Sequence, residues 1–147
     1  MRGLRNSKKL YALQREAKRR DTDVLFLQEV NIKSSGVADF KRGLSKVGWH
    51  AFVSVSNTTD ERGGTAILIR QDKCITVESV IADAEHGDSL DGGVCVVDTK
   101  IGDNKARLIS IYAPQKAGLR GDFFEQLKTS NYINRHSICQ CSRPLVC

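Results

Sequence analysis

The chain has 147 residues, of which 40% are hydrophobic and 27% charged, and this is enough for one domain with a hydrophobic core. No apolar run approaches the length of a membrane span, and the basic N-terminus is followed by a charged stretch where a signal peptide would be apolar. We therefore expect an intracellular protein, nuclear or cytoplasmic, that does not span a membrane.

The net charge of +6 is concentrated in the first 20 residues, which carry eight basic residues against Glu16 alone and so have a charge of +7. Clustered Lys and Arg side chains bind phosphates by releasing counterions, so this basic block indicates a surface that faces a polyanion. The alternative is that these residues form the solvated face of an amphipathic helix. Apolar residues at helical spacing, Leu10, Leu13 and Ala17, predict such a helix over residues 7–20.

Four consecutive apolar residues, 24–27, come next and end at Gln28 and Glu29. A short apolar run between turn residues predicts a strand that is covered on both faces. Glu29 then lies where the strand leaves the core, and in sheets flanked by helices ligands gather at the carboxyl ends of strands. Glu29 is therefore a candidate for chemistry, with a solvated carboxylate at a strand end as the alternative.

The middle of the chain is a series of predicted strands between predicted helices. Helical spacing predicts a second helix that begins near Val37 and ends at Gly48, and a third that begins near Arg120. Alternating or β-branched patterns predict strands at 51–56, 65–70, 74–81, 94–101 and 106–112. The last two form an antiparallel pair joined by residues 102–105. We expect an α/β protein of the mixed α+β kind, built in layers.

Beyond residue 130 neither the helical nor the strand period continues, so we predict a domain over residues 1–130 and an irregular or disordered tail over 131–147. Three of the five cysteines, Cys139, Cys141 and Cys147, lie in this tail, and their spacing lacks the paired ligands of a zinc site. Cys74 and Cys95 lie in strand-like stretches, where we expect buried free thiols.

Five short motifs follow one another along residues 2–127. They are Arg2-Gly3-Leu4-Arg5-Asn6, the strand that ends at Gln28-Glu29, Gly64-Thr65-Ala66-Ile67-Leu68-Ile69, Ile111-Tyr112-Ala113-Pro114, and Arg120 with Phe123, Phe124 and Leu127. Together they resemble the endonuclease/exonuclease/phosphatase (EEP) family, most closely the apurinic-type endonuclease domain of non-LTR (LINE-like) retrotransposons. The resemblance implies a four-layered α/β sandwich that cleaves a DNA phosphodiester with Mg²⁺.

The resemblance also implies roles for single residues. Glu29 matches the family's metal-binding glutamate, and Mg²⁺ needs only one or two such carboxylates because it keeps several waters. Tyr112 matches a tyrosine whose hydroxyl lies near the scissile phosphate and can donate a hydrogen bond to developing charge. Arg5 matches a basic residue that contacts the DNA backbone, and Lys8 and Lys9 extend that surface.

Several family motifs have no counterpart among these residues: an early Asn, a Gly-Asp-x-Asn strand and a Ser-Asp-His end. We therefore expect a copy truncated at both ends, whose nicking activity is absent or very low, because hydrolysis needs metal, water activation and leaving-group stabilisation together. The alternatives are a non-catalytic nucleic-acid-binding remnant, a phosphoesterase of the same family that acts on a lipid or nucleotide, and a chain that does not fold stably alone.

Overall fold

The structure is a computed structural model that describes residues 7–56, 63–114 and 116–133, and residues 7–9 by their backbone alone. Its helices are α1 (Ser7–Arg19), α2 (Val37–Ser45), which follows a 3₁₀ turn at Ser34–Gly36, and α3 (Ala117–Thr129). Its strands are β1 (Val24–Gln28), β2 (Trp49–Ser54), β3 (Thr65–Arg70), β4 (Ile75–Ala82), β5 (Val94–Ile101) and β6 (Asn104–Ile111). No helix in these ranges is long and apolar enough to cross a membrane.

The strands form two antiparallel three-stranded sheets, in the orders β1-β3-β2 and β4-β5-β6. The sheets pack face to face around a core that includes Ile67, Ile69, Cys95 and Val97. Helices α1 and α2 cover the outer face of the first sheet, and α3 covers the outer face of the second. The resulting order of layers, helix, sheet, sheet, helix, confirms the mixed α/β class and the four-layered sandwich expected from the sequence.

The central strand β3 shows why the layers stack in this way. Ile67 and Ile69 point into the core between the sheets, whereas Ala66 and Leu68 point toward α1 and α2. All four are fully buried, as an uninterrupted apolar run predicts for a strand with packing on both faces. Burial of each large side chain contributes roughly 1.5–3 kcal/mol to folding, so β3 is a main source of stability.

Strand β1 corrects the prediction that residues 24–27 are covered on both faces. Within the described residues β1 pairs with β3 alone, so it is an edge strand, and 36% of the Phe26 side chain is exposed. Leu25 and Leu27 pack against the core under the helices and Val24 packs against the core between the sheets, so the prediction is wrong only for Phe26.

Other expectations also change. Helix α2 ends at Ser45 and not at Gly48, and α3 begins at Ala117, three residues before Arg120. Strand β2 begins at Trp49, two residues earlier than predicted. The connection between β5 and β6 is two residues long, because Ile101 already pairs with Asn104. Cys74 is exposed, so the expectation of a buried thiol holds only for Cys95.

The core extends past residue 130. Tyr132 is only 8% exposed, packs beside α3 and donates a hydrogen bond from its hydroxyl to the carbonyl oxygen of Asp88. Most of the predicted tail, including Cys139, Cys141 and Cys147, lies outside the described residues.

Candidate functional site

Two of the residues predicted for the site lie next to each other although 83 positions separate them. Glu29 directly follows β1 and Tyr112 directly follows β6, and the Tyr112 hydroxyl donates a hydrogen bond to Glu29 Oε1 at 3.2 Å. Glu29 is exposed and Tyr112 is half-buried. The two strands belong to different sheets and end at the same rim of the sandwich, so this rim presents a carboxylate and a phenolic hydroxyl to solvent.

The backbone after β1 adopts an unusual conformation at the site. Glu29 and Asn31 have φ of +54° and +51°, in the left-handed region that residues other than glycine seldom occupy. Asn31 stabilises this turn, because its Nδ2 donates to the Glu29 carbonyl at 2.9 Å and its Oδ1 accepts from the Gly63 N–H at 2.9 Å. Asp21, Leu90 and Asp91 also have positive φ, so this conformation marks a tight turn and does not by itself assign a role to Glu29.

Asn31 was missed by the sequence analysis. The available signal was its place two positions after Glu29, since asparagine tolerates the left-handed region better than most residues. Asn31 N–H also donates to the Gly63 carbonyl at 2.9 Å, so two of its hydrogen bonds hold the turn against the loop that leads into β3.

Two glycines let that loop come close to the site. Gly63 has φ of +142°, and a Cβ there would lie 3.0 Å from Cε1 of the Tyr112 ring. Gly64 has φ of +81°, and a Cβ there would lie 2.7 Å from the Ser54 carbonyl oxygen. The absence of side chains at both positions allows the loop backbone to lie against Tyr112 on one side and β2 on the other.

A cluster of metal-ligand types lies elsewhere in the described part of the chain, at Asp83, Glu85 and His86. Lys41 Nζ lies 3.3 Å from Asp83 Oδ2 and 2.9 Å from Glu85 Oε2, so an ammonium group already offsets one of the two carboxylate charges. His86 Nδ1 lies 2.9 Å from Asp83 Oδ1. We interpret this cluster as a structural ion pair that closes the loop after β4.

Glu29 fits a magnesium site of a different kind. Mg²⁺ is commonly held by one or two carboxylates together with waters and the phosphate oxygens of the substrate. The exposed Glu29 carboxylate, at a strand end and beside a hydroxyl donor, supplies one hard oxygen ligand of this type. The donor set at the rim is therefore compatible with Mg²⁺ that is bound jointly by protein and substrate.

The structure describes no side chain of the three residues predicted to bind nucleic acid. Arg5 lies outside the described residues, and Lys8 and Lys9 lie on α1 without described side chains.

In the last turns of α1, Glu16 accepts hydrogen bonds from Arg19 at 2.6 Å and from Arg20 at 2.5 Å, which lower the pKa of Glu16 to about 2. This arrangement offsets part of the positive charge of the basic block.

No family model matches the sequence, and no curated protein matches it. Solved structures do match. D. rerio TDP2 humanized by 14 mutations is 16% identical, with a TM-score of 0.53, and the match covers 83% of this chain and 49% of that one. TDP2 from Caenorhabditis elegans is 22% identical, with a TM-score of 0.50, over 84% of this chain and 36% of that one. A truncated C. elegans TDP2 is 20% identical, with a TM-score of 0.50, over 82% and 48%.

These matches establish the fold. TDP2, tyrosyl-DNA phosphodiesterase 2, has the EEP fold, and the fold of this chain is accordingly of the EEP type. The chain spans less than half the length of each of these TDP2 structures. The likeness agrees with the fold that the sequence motifs imply, while the roles of Glu29 and Tyr112 stay predictions.

Proposed function

We propose that this chain contributes the metal- and phosphate-binding rim of an EEP-type phosphodiesterase that acts on DNA. The observation that carries the proposal is the hydrogen bond from Tyr112 to Glu29, which brings two motif residues 83 positions apart to one rim of the sandwich. The likeness to TDP2 supports the fold on which this rim depends. A DNA substrate would place the protein in the nucleus or cytoplasm.

In this proposal Glu29 is the protein's ligand to Mg²⁺, and the ion, when bound, neutralises charge on the phosphate and the leaving oxygen. Tyr112, which donates to Glu29 in the structure, would donate to a phosphate oxygen bound at the same rim. Asn31 holds the turn that presents Glu29. These residues bind and orient a phosphate, and none of them is an evident base for the attacking water.

We therefore expect these 147 residues by themselves to bind DNA with Mg²⁺ and to nick it very slowly or not at all. Of the catalytic groups implied by the family resemblance, Glu29 and Tyr112 alone have counterparts here, and loss of cooperating groups costs orders of magnitude in rate. The five motifs shared with retrotransposon endonucleases lead us to propose that origin for the domain.

The test compares the chain with Glu29→Gln and with Glu125→Gln. Glu125 is an exposed carboxylate on α3, paired with Lys128 at 2.6 Å, so it matches Glu29 in chemistry but lies away from the rim. We expect Mg²⁺ to strengthen binding of labelled duplex DNA to the wild type and to Glu125→Gln, measured by fluorescence anisotropy. The increase in DNA affinity that Mg²⁺ causes is expected to be at least about tenfold smaller in Glu29→Gln.

An equal response to Mg²⁺ in all three proteins would refute the role of Glu29. Nicking of supercoiled plasmid, run in parallel, separates two further outcomes. Nicking that disappears in Glu29→Gln would mean that a full set of catalytic groups is present, and the nuclease activity would then belong to this chain itself. Circular dichroism of each variant checks that it is folded.

A second candidate function is DNA binding without catalysis, favoured by the charge of +7 over the first 20 residues. Binding through this block would be strongly salt-dependent, since each neutralised phosphate adds roughly one unit to the slope of log K against log salt. We expect the double variant Lys8→Gln, Lys9→Gln to reduce that slope by about two. Lys128→Gln, on α3, is the control, and an unchanged slope in the double variant would exclude this use of Lys8 and Lys9.

A third candidate is a phosphoesterase of the same fold with another substrate, which the likeness to a tyrosyl-DNA phosphodiesterase favours. A panel of plasmid DNA, a tyrosyl–DNA phosphodiester, a nucleotide and a phosphorylated lipid distinguishes these possibilities. Turnover of one substrate that Glu29→Gln abolishes would identify the class.

A further inference from the structure

Two buried hydroxyl groups connect the strands that carry the site. The Thr65 hydroxyl donates to the Leu27 carbonyl oxygen at 2.9 Å and is also hydrogen-bonded to the Ser110 hydroxyl. Thr65 is fully buried and Ser110 is 4% exposed. A hydroxyl has one proton to donate, so Ser110 must be the donor to Thr65 once Thr65 donates to Leu27.

These hydrogen bonds join the ends of β1 and β6 immediately before the site. Leu27 lies two residues before Glu29, and Ser110 lies two residues before Tyr112. The two strands belong to different sheets, so no ladder of backbone hydrogen bonds sets their relative position. The path from Leu27 through Thr65 to Ser110 crosses from one sheet to the other at this point.

A second cross-sheet hydrogen bond lies one residue closer to the rim. Gln28 Nε2 donates to the Ile111 carbonyl oxygen at 3.1 Å. The contact between Tyr112 and Glu29 at 3.2 Å then forms the outermost connection of the series. A hydrogen bond weakens over a few tenths of an ångström, so the outer contact requires that the two strand ends keep this separation.

The polar pair lies in a mostly apolar interface, which includes Ile67, Ile69 and Val97. Ser54, the cross-strand partner of Thr65, and Thr99 on β5 are further buried hydroxyl residues. Burying a hydroxyl group there costs free energy unless the group is hydrogen-bonded, and a pair of apolar side chains would not carry this desolvation cost. A satisfied polar pair instead specifies one relative position of its neighbours.

We infer that Thr65 and Ser110 are positioning residues that hold Glu29 and Tyr112 at the distance the site requires. The inference rests on the proposed function for the importance of that distance. The geometry itself depends on neither Mg²⁺ nor DNA, so the two proposals can fail separately.

The test measures contact between Tyr112 and Glu29 directly. The chain has three tyrosines, Tyr11, Tyr112 and Tyr132, and labelling them with ¹³C at Cζ yields NMR signals that Tyr112→Phe assigns. Glu29→Gln removes the charge that accepts the Tyr112 hydrogen bond, so it shifts the Tyr112 signal. The readout is this shift, measured in wild type and in each positioning variant.

The variants separate the hydroxyl group from the rest of the side chain. Thr65→Val keeps the shape of the side chain and removes the hydroxyl, whereas Thr65→Ser retains it. Thr99→Val is the matched control, because Thr99 is also buried in a strand and its hydroxyl donates to the Ala106 carbonyl at 3.0 Å, within the second sheet. Ser110→Ala removes the same inter-sheet bond from the other side, and it serves if Thr65→Val does not fold.

We expect Glu29→Gln to shift the Tyr112 signal in wild type, Thr65→Ser and Thr99→Val, and the shift to be lost in Thr65→Val and Ser110→Ala. A shift of wild-type size in Thr65→Val or Ser110→Ala would overturn the inference, as would its loss in Thr99→Val. If the chain also binds Mg²⁺ through Glu29, Thr65→Val should weaken that affinity about tenfold and Thr99→Val should not. If the Glu29→Gln shift of the Tyr112 signal is lost in Thr65→Val and the chain binds no Mg²⁺, the positioning role is retained and the proposed function is refuted.

Discussion

The buried carboxylate of Asp83 provides the sharpest test of how the layers are held together. Asp83 directly follows β4, and its side chain is 1% exposed. Oδ1 accepts hydrogen bonds from the backbone N–H groups of Glu85 at 2.8 Å and His86 at 2.9 Å, and Oδ2 lies 3.3 Å from Nζ of Lys41 on α2. The interaction therefore joins the second sheet to a helix on the first, and Asp83→Asn removes its charge.

We expect Asp83→Asn to lower the free energy of unfolding by about 2–3 kcal/mol. Loss of one partner from a fully buried pair costs roughly 3–5 kcal/mol, and the 22% exposure of the Lys41 side chain reduces that figure. The asparagine can still accept the backbone hydrogen bonds, which limits the loss further. Glu85→Gln is the control, because Glu85 pairs with the same Lys41 but is 55% exposed, and such a pair contributes at most about 1 kcal/mol.

The same carboxylate predicts a pH dependence. Burial raises the pKa of Asp83, but hydrogen bonds from Glu85 and His86 and the charge of Lys41 outweigh it, so the pKa lies below its usual value. Because the folded pKa is lower than the unfolded one, this stabilisation is complete above the unfolded pKa of about 4 and is lost as the pH falls through the folded pKa. Wild type should therefore lose more stability than Asp83→Asn as the pH falls below about 4.

Urea unfolding monitored by circular dichroism, at neutral pH and across the acid range, measures both effects. A change below about 0.5 kcal/mol in Asp83→Asn at neutral pH would refute the reasoning, since that is the range of ordinary surface substitutions. Parallel pH profiles for wild type and Asp83→Asn would refute the assignment of the acid sensitivity to this group.

Two further predictions concern backbone space and thiol reactivity. Gly64→Ala should lower the free energy of unfolding by about 2–4 kcal/mol, because φ is +81° and the new Cβ would lie 2.7 Å from the Ser54 carbonyl oxygen. Gly102→Ala, with φ of +59° and open space, should cost about 1 kcal/mol, and equal losses in urea unfolding would contradict this account. Burial raises the pKa of Cys95 to about 12, so iodoacetamide should label exposed Cys74 and spare Cys95 in the native protein, and equal labelling by mass spectrometry would contradict its burial.

Much of the architecture could be predicted because local patterns determine it. The helical spacing of Val37, Phe40 and Leu44 predicted α2, and all three side chains are buried on one face. The apolar run at 65–70 predicted β3 with its actual bounds. The exposure of Phe26 on β1 was not predicted, because it depends on which distant segments cover that strand.

For the site, the sequence by itself determined where two strands end, because the change from apolar to polar residues marks the end of β1 at Gln28 and Glu29, and Pro114 limits the strand that carries Tyr112. Only the tertiary structure decided that Glu29 and Tyr112 meet, that Asn31 holds the turn beside them, and that Thr65 and Ser110 join their strands across 45 positions. The physical reason is that stacking of the two sheets brings these groups together through side-chain contacts between distant segments, and such contacts leave no periodic signal in the chain.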